Sequence, residues 1–481
     1  MLPRGDTEEE KTMGFTTLTF LFVLMPAFLV VYFVLEKVFR RTGVKNVALL
    51  VFSAAFYYWM DAQSLSLFTL LVLIVYFAGS ALGAARTKKR LAVPVMILVL
   101  ILVFYKSASF LYDYVDRVIG RQWLTAKTLI VPIGISYFVF AAISYLVDIY
   151  REDAEPGSLV QSVLFLSFFP KLISGPIVRW KEFLPQAKER QSKVEDMTAG
   201  IDRIIVGLAK KVILADTFAA QIATIDHGIA IGGVDTPTLW LKMLLYSLQL
   251  YFDFSGYSDI AIGLCRYFGF KIGENFNCPY LSTSITEFWR KWHISLGSWF
   301  REYVYIPLGG NRRGNVYVHL FIVFLLTGIW HGNRWSCLTW GCVHGLFVVI
   351  ERAVRGRRWY KAIPVMINFA VTIAIVFFAW ILFASPDLTS AKEWYVGMFT
   401  SSAGAINYTW RYYLSPKIIL LLLISIAGIA LGIPWIRERL NRVRQTLVGT
   451  LAYRFVLMLL LVVVFVSMVS STYRPFLYAQ F

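Results

Sequence analysis

Long apolar stretches, separated by short loops that carry most of the charge, run through this chain. A helix needs about 20 apolar residues to cross the hydrocarbon core of a bilayer, and several stretches reach that length. The stretches expected to span the membrane or to lie buried in it are residues 15–35, 47–60, 65–84, 91–112, 128–150, 159–178, 201–225, 239–268, 317–350, 362–383, 418–435 and 447–470. This pattern predicts an all-α, polytopic membrane protein with roughly 11 to 13 membrane-embedded helices.

Two segments depart from a simple spanning helix. The stretch 159–178 contains Pro170 and Pro176, and proline removes a backbone donor, so this stretch is expected to bend or to re-enter the membrane. Between residues 283 and 305 the large apolar side chains share one helical face and the basic side chains share another. That periodicity predicts a single amphipathic helix lying along the cytoplasmic surface.

The composition agrees with a membrane location. Of the 481 residues 58% are hydrophobic and 16% are charged, whereas soluble proteins carry about 25% charged residues. The net charge of +18 comes from short basic loops, so contact with anionic lipid headgroups explains it without nucleic acid. The loops expected on the cytoplasmic side are residues 36–45, 86–90, 351–361 and 437–444. This topology places both termini outside the cytoplasm.

The chain has no evident internal repeat or low-complexity segment. We therefore predict one transmembrane domain, residues 15–481, after an acidic extracytoplasmic extension, residues 1–14. The four cysteines form no CxxC pair and have no spacing typical of zinc ligands. We expect them to behave as small buried hydrophobic residues.

His331 lies in the sequence TGIWHGNRW, in the middle of the apolar stretch 317–350. An ionisable ring at bilayer depth is costly, so such residues usually line a cavity and take part in chemistry. The plainer interpretation is a core histidine that joins two helices by a hydrogen bond. His344 follows 13 residues later, about 20 Å away and on a different face if the helix were continuous. With no third ligand at a useful spacing, we expect no metal site.

A second polar cluster occupies YSLQLYFDFSGYSDIAIGL, residues 246–264. Asp253 and Asp259 stand there in apolar sequence, with Ser255 between them. Taken alone, either aspartate is more commonly a structural residue whose carboxylate bonds to a neighbouring helix. The residue types also permit a Ser–His–Asp hydrolase, but no GxSxG motif is present. The sequence contains no P-loop and no GxGxxG motif either.

Five sequence blocks in order resemble the membrane-bound O-acyltransferase family, and within it the bacterial branch of polysaccharide O-acetyltransferases. The branch is similar to the alginate O-acetylation proteins, and the teichoic-acid D-alanylation proteins are more distant. The blocks are VPIGISYFVFAAISYLVDIYR (131–151), SFFPKLISGPIVRW (167–180), LQLYFDFSGYSDIAIGL (248–264), ENFNCPYLSTSITEFWRKWHISLGSWFREYVYIPLGGNR (274–312) and LLTGIWHGNRW (325–335). The resemblance covers most of the chain. It departs from the family at the acidic N-terminal extension and at Ala479, where an aromatic residue is common.

The resemblance implies a ring of helices around a thin central core, with a funnel on each face, in a bacterial inner membrane. It implies no bound cofactor and, as donor substrate, a cytoplasmic acetyl thioester such as acetyl-CoA. The acetyl group would cross the membrane to an extracytoplasmic polysaccharide such as alginate, cellulose or peptidoglycan. An extracytoplasmic acyltransferase of the SGNH type, or another acetyl-accepting protein, would be the partner.

The same resemblance assigns the catalytic histidines to His331, in the WHG motif, and His293, in the WHISL motif. Burial disfavours an imidazolium, so we expect His331 to be a neutral general base and His293 to orient the donor or the acceptor. The residues expected to bind substrate or to support the site are Trp330, Asp253, Ser255, Asp259, Trp292, Arg301 and Asn333.

Two other functions remain open from the sequence. Many helices, broken segments and a central polar path also suit a transporter or flippase of acyl or glycan substrates. The other alternative stays within the family and acylates a protein or a lipid hydroxyl.

Overall fold

The computed structural model describes residues 14–39, 41–119, 131–332, 334–400, 408–470 and 476, and for residues 107–119 the backbone only. The regular secondary structure of the described residues is helical, apart from one isolated bridge between Val234 and Tyr408. Most of the predicted N-terminal extension, residues 1–13, lies outside these ranges.

The described helices are numbered in chain order. In chain order they are α1 Met25–Phe39, α2 Thr42–Met60, α3 Leu65–Ala84, α4 Lys88–Ile119, α5 Ile135–Tyr150, α6 Leu159–Ser167, α7 Phe169–Leu172, α8 Trp180–Lys188, α9 Val194–Leu208, α10 Asp216–Gly232 and α11 Thr236–Tyr267. They continue as α12 Ile285–Lys291, α13 Ile294–Phe300, α14 Val316–His331, α15 Trp335–Val354, α16 Arg358–Lys361, α17 Val365–Ala384, α18 Leu388–Gly397, α19 Trp410–Tyr413, α20 Pro416–Ala430, α21 Pro434–Arg444 and α22 Leu447–Ser470.

Several helices have the length and composition of membrane spans. Five of those described pass this test, and α20 with α21 would form a sixth span, bent by 90° at the break between them. The five are Phe20–Phe39, which is α1 with the π-helical turn before it, Leu65–Ala84, Trp335–Val354, Val365–Ala384 and Leu447–Ser470. Exposed apolar side chains cover α22, where Leu447 and Val448 are 76% and 77% exposed, a surface suited to lipid contact. The prediction of an all-α, polytopic membrane protein is confirmed.

The contacts of the chain group into two compact units. The first is built from residues within 1–205, 257–273 and 465–480, and the second from residues within 206–256 and 274–464. In the first unit α5 is buried along almost its whole length. The single-domain assignment stays a prediction.

The stretch 159–178 is broken in the first unit, as its prolines predict. α6 ends at Ser167, and Pro170 lies in the first turn of the four-residue helix α7. After α7 the backbone approaches itself closely at Gly175, where a Cβ atom would lie 2.4 Å from the Cα atom of Lys171. Only a residue without a side chain fits that approach.

In the second unit the stretch 317–350 forms two helices, α14 and α15, that pack side by side and antiparallel. A Cβ atom on Gly341 would lie 2.6 Å from the carbonyl oxygen of Phe324 and 3.0 Å from the Cα atom of Gly328. The glycines therefore allow the two backbones to touch. The chain reverses directly after His331, so His331 and His344 lie on different helices rather than on one continuous helix.

The prediction of one amphipathic helix over residues 283–305 was wrong in detail. The segment forms α12, α13 and a π-helical turn, Arg301–Tyr305, with a break at His293. His293 has a φ angle of 45°, in the left-handed region, which interrupts the helix between Trp292 and Ile294. The large residues of the predicted apolar face, among them Trp292 and Trp299, are buried within the protein.

We predict that Gly341→Ala destabilises the α14–α15 pair by about 1–3 kcal/mol, because the added methyl group must displace backbone atoms of Phe324 and Gly328. The measurement is the free energy of unfolding of the purified protein in detergent. Gly428→Ala in α20 is the matched control, since a Cβ atom there has open space around it. Equal stability of the two variants would contradict the packing described for Gly341.

Candidate active site

His331 is the last residue of α14, and its ring is enclosed by aromatic side chains. Its ring centroid lies 4.5 Å from that of Trp330, 5.2 Å from that of Trp340 and 5.1 Å from that of Phe383. The residue is 2% exposed. Trp340 belongs to α15 and Phe383 to α17, so three helices form the surroundings of this imidazole.

His293 lies close to the same place. The ring centroid of Trp330 is 6.4 Å from that of His293 and 4.5 Å from that of His331, so the indole of Trp330 contacts both histidine rings. Phe254 packs on His293 from α11, with perpendicular rings 4.6 Å apart. The structure thus brings together the two histidines and Trp330, three residues that the sequence analysis assigned to the site.

An asparagine from a neighbouring segment holds the break at His293. The Oδ1 atom of Asn275 lies 3.1 Å from Nδ1 of His293 and accepts hydrogen bonds from the backbone N–H and the hydroxyl of Ser295. The backbone N–H of Ile294 donates to the carbonyl oxygen of Asn275 at 2.9 Å. These bonds replace those that an unbroken helix would make, and they keep His293 in its left-handed conformation.

A cavity of about 650 Å³ opens beside His293. Four arginines line it: Arg290, Arg301, Arg352 and Arg355. None of the described lining residues is a carboxylate. Arg352 also donates to Oδ1 of Asn311, another lining residue, at 3.1 Å. A positively charged cavity of this volume is suited to a ligand that carries phosphate or carboxylate groups.

One face of α14 connects this cavity to His331. Leu320, Val323, Phe324 and Thr327 line the cavity and follow the spacing of a single helical face. His331 stands four residues after Thr327, so it continues that face by one turn. Part of the cavity wall and His331 therefore lie on the same face of α14.

Asp253 is buried in α11 and forms a salt bridge with Lys211. Lys211 lies 2.7 Å from the carboxylate of Asp253 and 2.8 Å from that of Asp216. Lys211 and Asp253 are each 2% exposed, and the buried positive charge of Lys211 is compensated by two carboxylates, those of Asp253 and Asp216. Lys211 lies in a π-helical segment, Ala209–Ala215, a local distortion that is frequent near functional sites.

The other predicted support residues are distributed differently. Arg301 lines the cavity, whereas Trp292 packs in an aromatic core against Trp380, with ring centroids 4.9 Å apart. Ser255 is buried, and its hydroxyl finds no hydrogen-bond partner among the described residues. Asp259 belongs to the first unit, where it pairs with Arg203 at 2.9 Å.

Asn333 lies outside the described residues. In the part of the chain that the structure describes, no group of three histidine, cysteine or acidic side chains could hold a metal ion.

Sequence reasoning missed several cavity and aromatic residues. Arg352 and Arg355 were interpreted only as part of a basic cytoplasmic loop, although the α14–α15 pair brings them to the cavity wall. Trp289 and Trp340 pack with perpendicular rings 5.6 Å apart, and His344 contacts both. Nothing in the spacing of these residues predicts that contact, because they come from different helices.

We predict a pH-dependent stability that comes from His293, which lies outside the candidate spans. Burial lowers the pKa of His293 from 6.5 to about 3, so between these values the unfolded chain binds a proton that the folded protein does not. The free energy of unfolding should therefore fall as the pH decreases, by up to about 1.4 kcal/mol per pH unit once the pH is under about 6. Thermal unfolding in detergent at several pH values measures this slope.

His293→Asn should reduce the slope, since asparagine does not titrate and tolerates a positive φ angle. Gly428→Ala, which changes no titratable group and has open space for its methyl group, should leave the slope unchanged. A slope that is identical in the wild type and in His293→Asn would contradict the neutral, buried state of His293.

Known proteins resemble this chain over most of its length. The model of the MBOAT, membrane-bound O-acyltransferase family, matches residues 47–386, which include both histidines. "Probable alginate O-acetylase AlgI" of Pseudomonas aeruginosa is 39% identical over 402 residues, covering 81% of this chain and 75% of the relative. The protein of that name from Pseudomonas putida is 36% identical over 497 residues, covering 98% of this chain and all of the relative.

A peptidoglycan O-acetyltransferase of Helicobacter pylori is 32% identical over 422 residues, covering 80% of this chain and 79% of the relative. Teichoic acid D-alanyltransferases match about half of the chain at lower identity. These similarities follow the order expected from the sequence blocks. The chain therefore belongs to the membrane-bound O-acyltransferase family, and it is a multi-pass O-acyltransferase.

Proposed function

We propose that this protein takes an acetyl group from a cytoplasmic thioester, acetyl-CoA, and passes it across the membrane for O-acetylation of an extracytoplasmic polysaccharide. The names of its relatives support the acetyl group and the polysaccharide, since they refer to alginate and to peptidoglycan. In this proposal the polymer is alginate-like, cellulose or peptidoglycan, and two of these three are polymers that the relatives' names print.

The cavity beside His293 is the observation that carries this proposal. Coenzyme A bears several phosphates, and guanidinium groups bind phosphate through paired, charge-assisted hydrogen bonds. Four arginines stand in the cavity wall, and the apolar face of α14 leads from there to His331. A donor bound by its phosphates at the arginines would extend its thioester along that face towards the imidazole.

At the reaction centre the hydroxyl oxygen of the acceptor attacks the carbonyl carbon of the thioester. His331 accepts the hydroxyl proton as the new C–O bond forms, and the proton then passes to the thiolate as the C–S bond breaks. The aromatic enclosure of His331 excludes water, which limits hydrolysis of the thioester. His293, on the cavity wall, orients the donor.

The acceptor approaches from the opposite face. A second cavity, of about 520 Å³, is lined by Ala384, Ser385 and Pro386, the three residues that follow Phe383 in the chain. Phe383 contacts the ring of His331, and the acceptor in this proposal reaches the imidazole from this side. Its other polar lining residues include Lys242 and Glu393. An extracytoplasmic partner of the SGNH type would deliver the acetyl group to the polymer.

The orientation follows from the basic loops. Arg352 and Arg355 lie in the basic loop 351–361, so the positive-inside rule assigns the arginine-lined cavity to the cytoplasmic side of a bacterial inner membrane. Both termini are then extracytoplasmic. Acetyl-CoA should therefore support acetyl transfer when it is added to inside-out membrane vesicles and not when it is added to right-side-out vesicles.

We predict that His331→Ala lowers O-acetylation of the polymer by about 100-fold or more, because a general base contributes at least that factor. The measurement is the acetate released by alkali from the surface polysaccharide of a deletion strain that expresses each variant. His227→Ala is the matched control and should acetylate normally, since this exposed histidine is not among the lining residues of either cavity.

Equal amounts of folded protein in the membrane, measured by detergent gel filtration, are required for this comparison. Normal acetylation by His331→Ala would refute the role of this residue. A transporter or flippase predicts a different result, since purified protein would neither bind nor consume radiolabelled acetyl-CoA.

We predict that Arg352→Gln raises the KM for acetyl-CoA about tenfold, because it removes a charged hydrogen-bond donor from the cavity wall. The KM of this variant should also depend less on salt than that of the wild type. Initial rates in inside-out vesicles at two ionic strengths give both values. Arg358→Gln, at an exposed arginine outside the cavity lining, is the control. If both variants change the KM equally, the effect is one of surface charge and not of donor binding.

A further inference from the structure

His344 makes one well-defined polar contact at a place where polar contacts are scarce. It is fully buried in α15, and its Nδ1 atom accepts a hydrogen bond of 3.2 Å from the indole N–H of Trp289 in α12. The two rings are perpendicular, with centroids 4.9 Å apart. The apolar rings of Trp340 and Trp380 surround the imidazole, at 5.1 Å and 6.2 Å.

This contact fixes the tautomer of His344. Trp289 can only donate, so Nδ1 of His344 must be unprotonated and the proton of the neutral ring must reside on Nε2. A buried indole N–H that loses its acceptor keeps the full cost of its desolvation. The pair therefore holds both rings in one arrangement.

Trp289 connects this pair to the reaction. Its indole lines the arginine-containing cavity, and His293 stands four residues later in the same cavity wall. Trp340 packs on Trp289 at 5.6 Å and on His331 at 5.2 Å. A rotation of the Trp289 ring would change the shape of the cavity where the donor passes towards His331.

We propose that His344 is a positioning residue for the acyl donor, acting through Trp289 and touching neither the donor nor the acceptor. It holds the indole of Trp289 flat in the wall of the donor cavity. This role rests on the proposed function, because it assumes that the acetyl thioester occupies that cavity.

The test compares His344→Asn with His344→Leu. The two new side chains have similar size and shape, but asparagine offers an oxygen near the position of Nδ1 and leucine offers no acceptor. His344→Leu should raise the KM for acetyl-CoA about tenfold, the equivalent of one lost hydrogen bond, with kcat within about twofold of the wild type. His344→Asn should restore the KM to nearly the wild-type value. Rates are measured in inside-out vesicles and divided by the amount of folded protein.

Trp289→Phe tests the other end of the bond. It removes the indole donor, and the double variant Trp289→Phe with His344→Leu should have the same KM as either single variant, because both remove one interaction. Additive increases, about 100-fold together, would show two independent effects and overturn the proposal. If His344→Leu does not fold, the KM of the single variant Trp289→Phe is the test. An unchanged KM for acetyl-CoA in that variant overturns the proposal.

A purely structural role gives a different pattern. His344→Leu would then reduce the amount of folded protein but leave the KM of the folded fraction unchanged. The variant His331→Ala distinguishes a failure of the proposed function from a failure of the role of His344. If that variant retains acetyl transfer, the function itself is wrong. If it loses transfer while His344→Leu and His344→Asn share the wild-type KM, only the role of His344 is wrong.

Discussion

The close approach of α14 and α15 at Gly328 and Gly341 is the constraint on which the site depends. Because neither residue carries a side chain, the two backbones touch, and the chain reverses directly after His331. The reversal places Trp340 of α15 against the ring of His331. It also brings the basic end of α15 to the cavity beside His293. A bulky residue at either glycine would move both groups.

Two groups of basic side chains in this protein differ in whether carboxylates neutralise them. The buried positive charge of Lys211 is compensated by Asp253 and Asp216, so that cluster is suited to hold helices and not to bind an anion. In the cavity beside His293 the described lining has arginines and no carboxylate, so its positive charge is available to a ligand. The two arrangements lie in the same unit and contain similar residue types, and the presence or absence of carboxylates separates their roles.

The aromatic residues link the histidines into one site. Trp330 contacts both His293 and His331, while Trp340 contacts His331, Trp289 and His344. In an apolar environment such rings exclude water and fix the orientation of each imidazole by packing. The left-handed backbone at His293 fits this view, since a strained conformation persists only where surrounding contacts impose it. An acyl transfer that must avoid hydrolysis benefits from both properties.

The sequence by itself determined the membrane class and the helical fold, because transfer of apolar residues into a bilayer depends on local composition. It also selected His331 as a candidate, because the motif around this residue is contiguous. It also predicted the broken stretch at Pro170, a local effect of proline. Only the tertiary structure decided the break at His293, since Asn275, 18 residues away, supplies the hydrogen bonds that hold it. The four arginines of the cavity come from segments far apart in the sequence, and so do His344 and Trp289. A single sequence has no periodic signal that predicts such contacts.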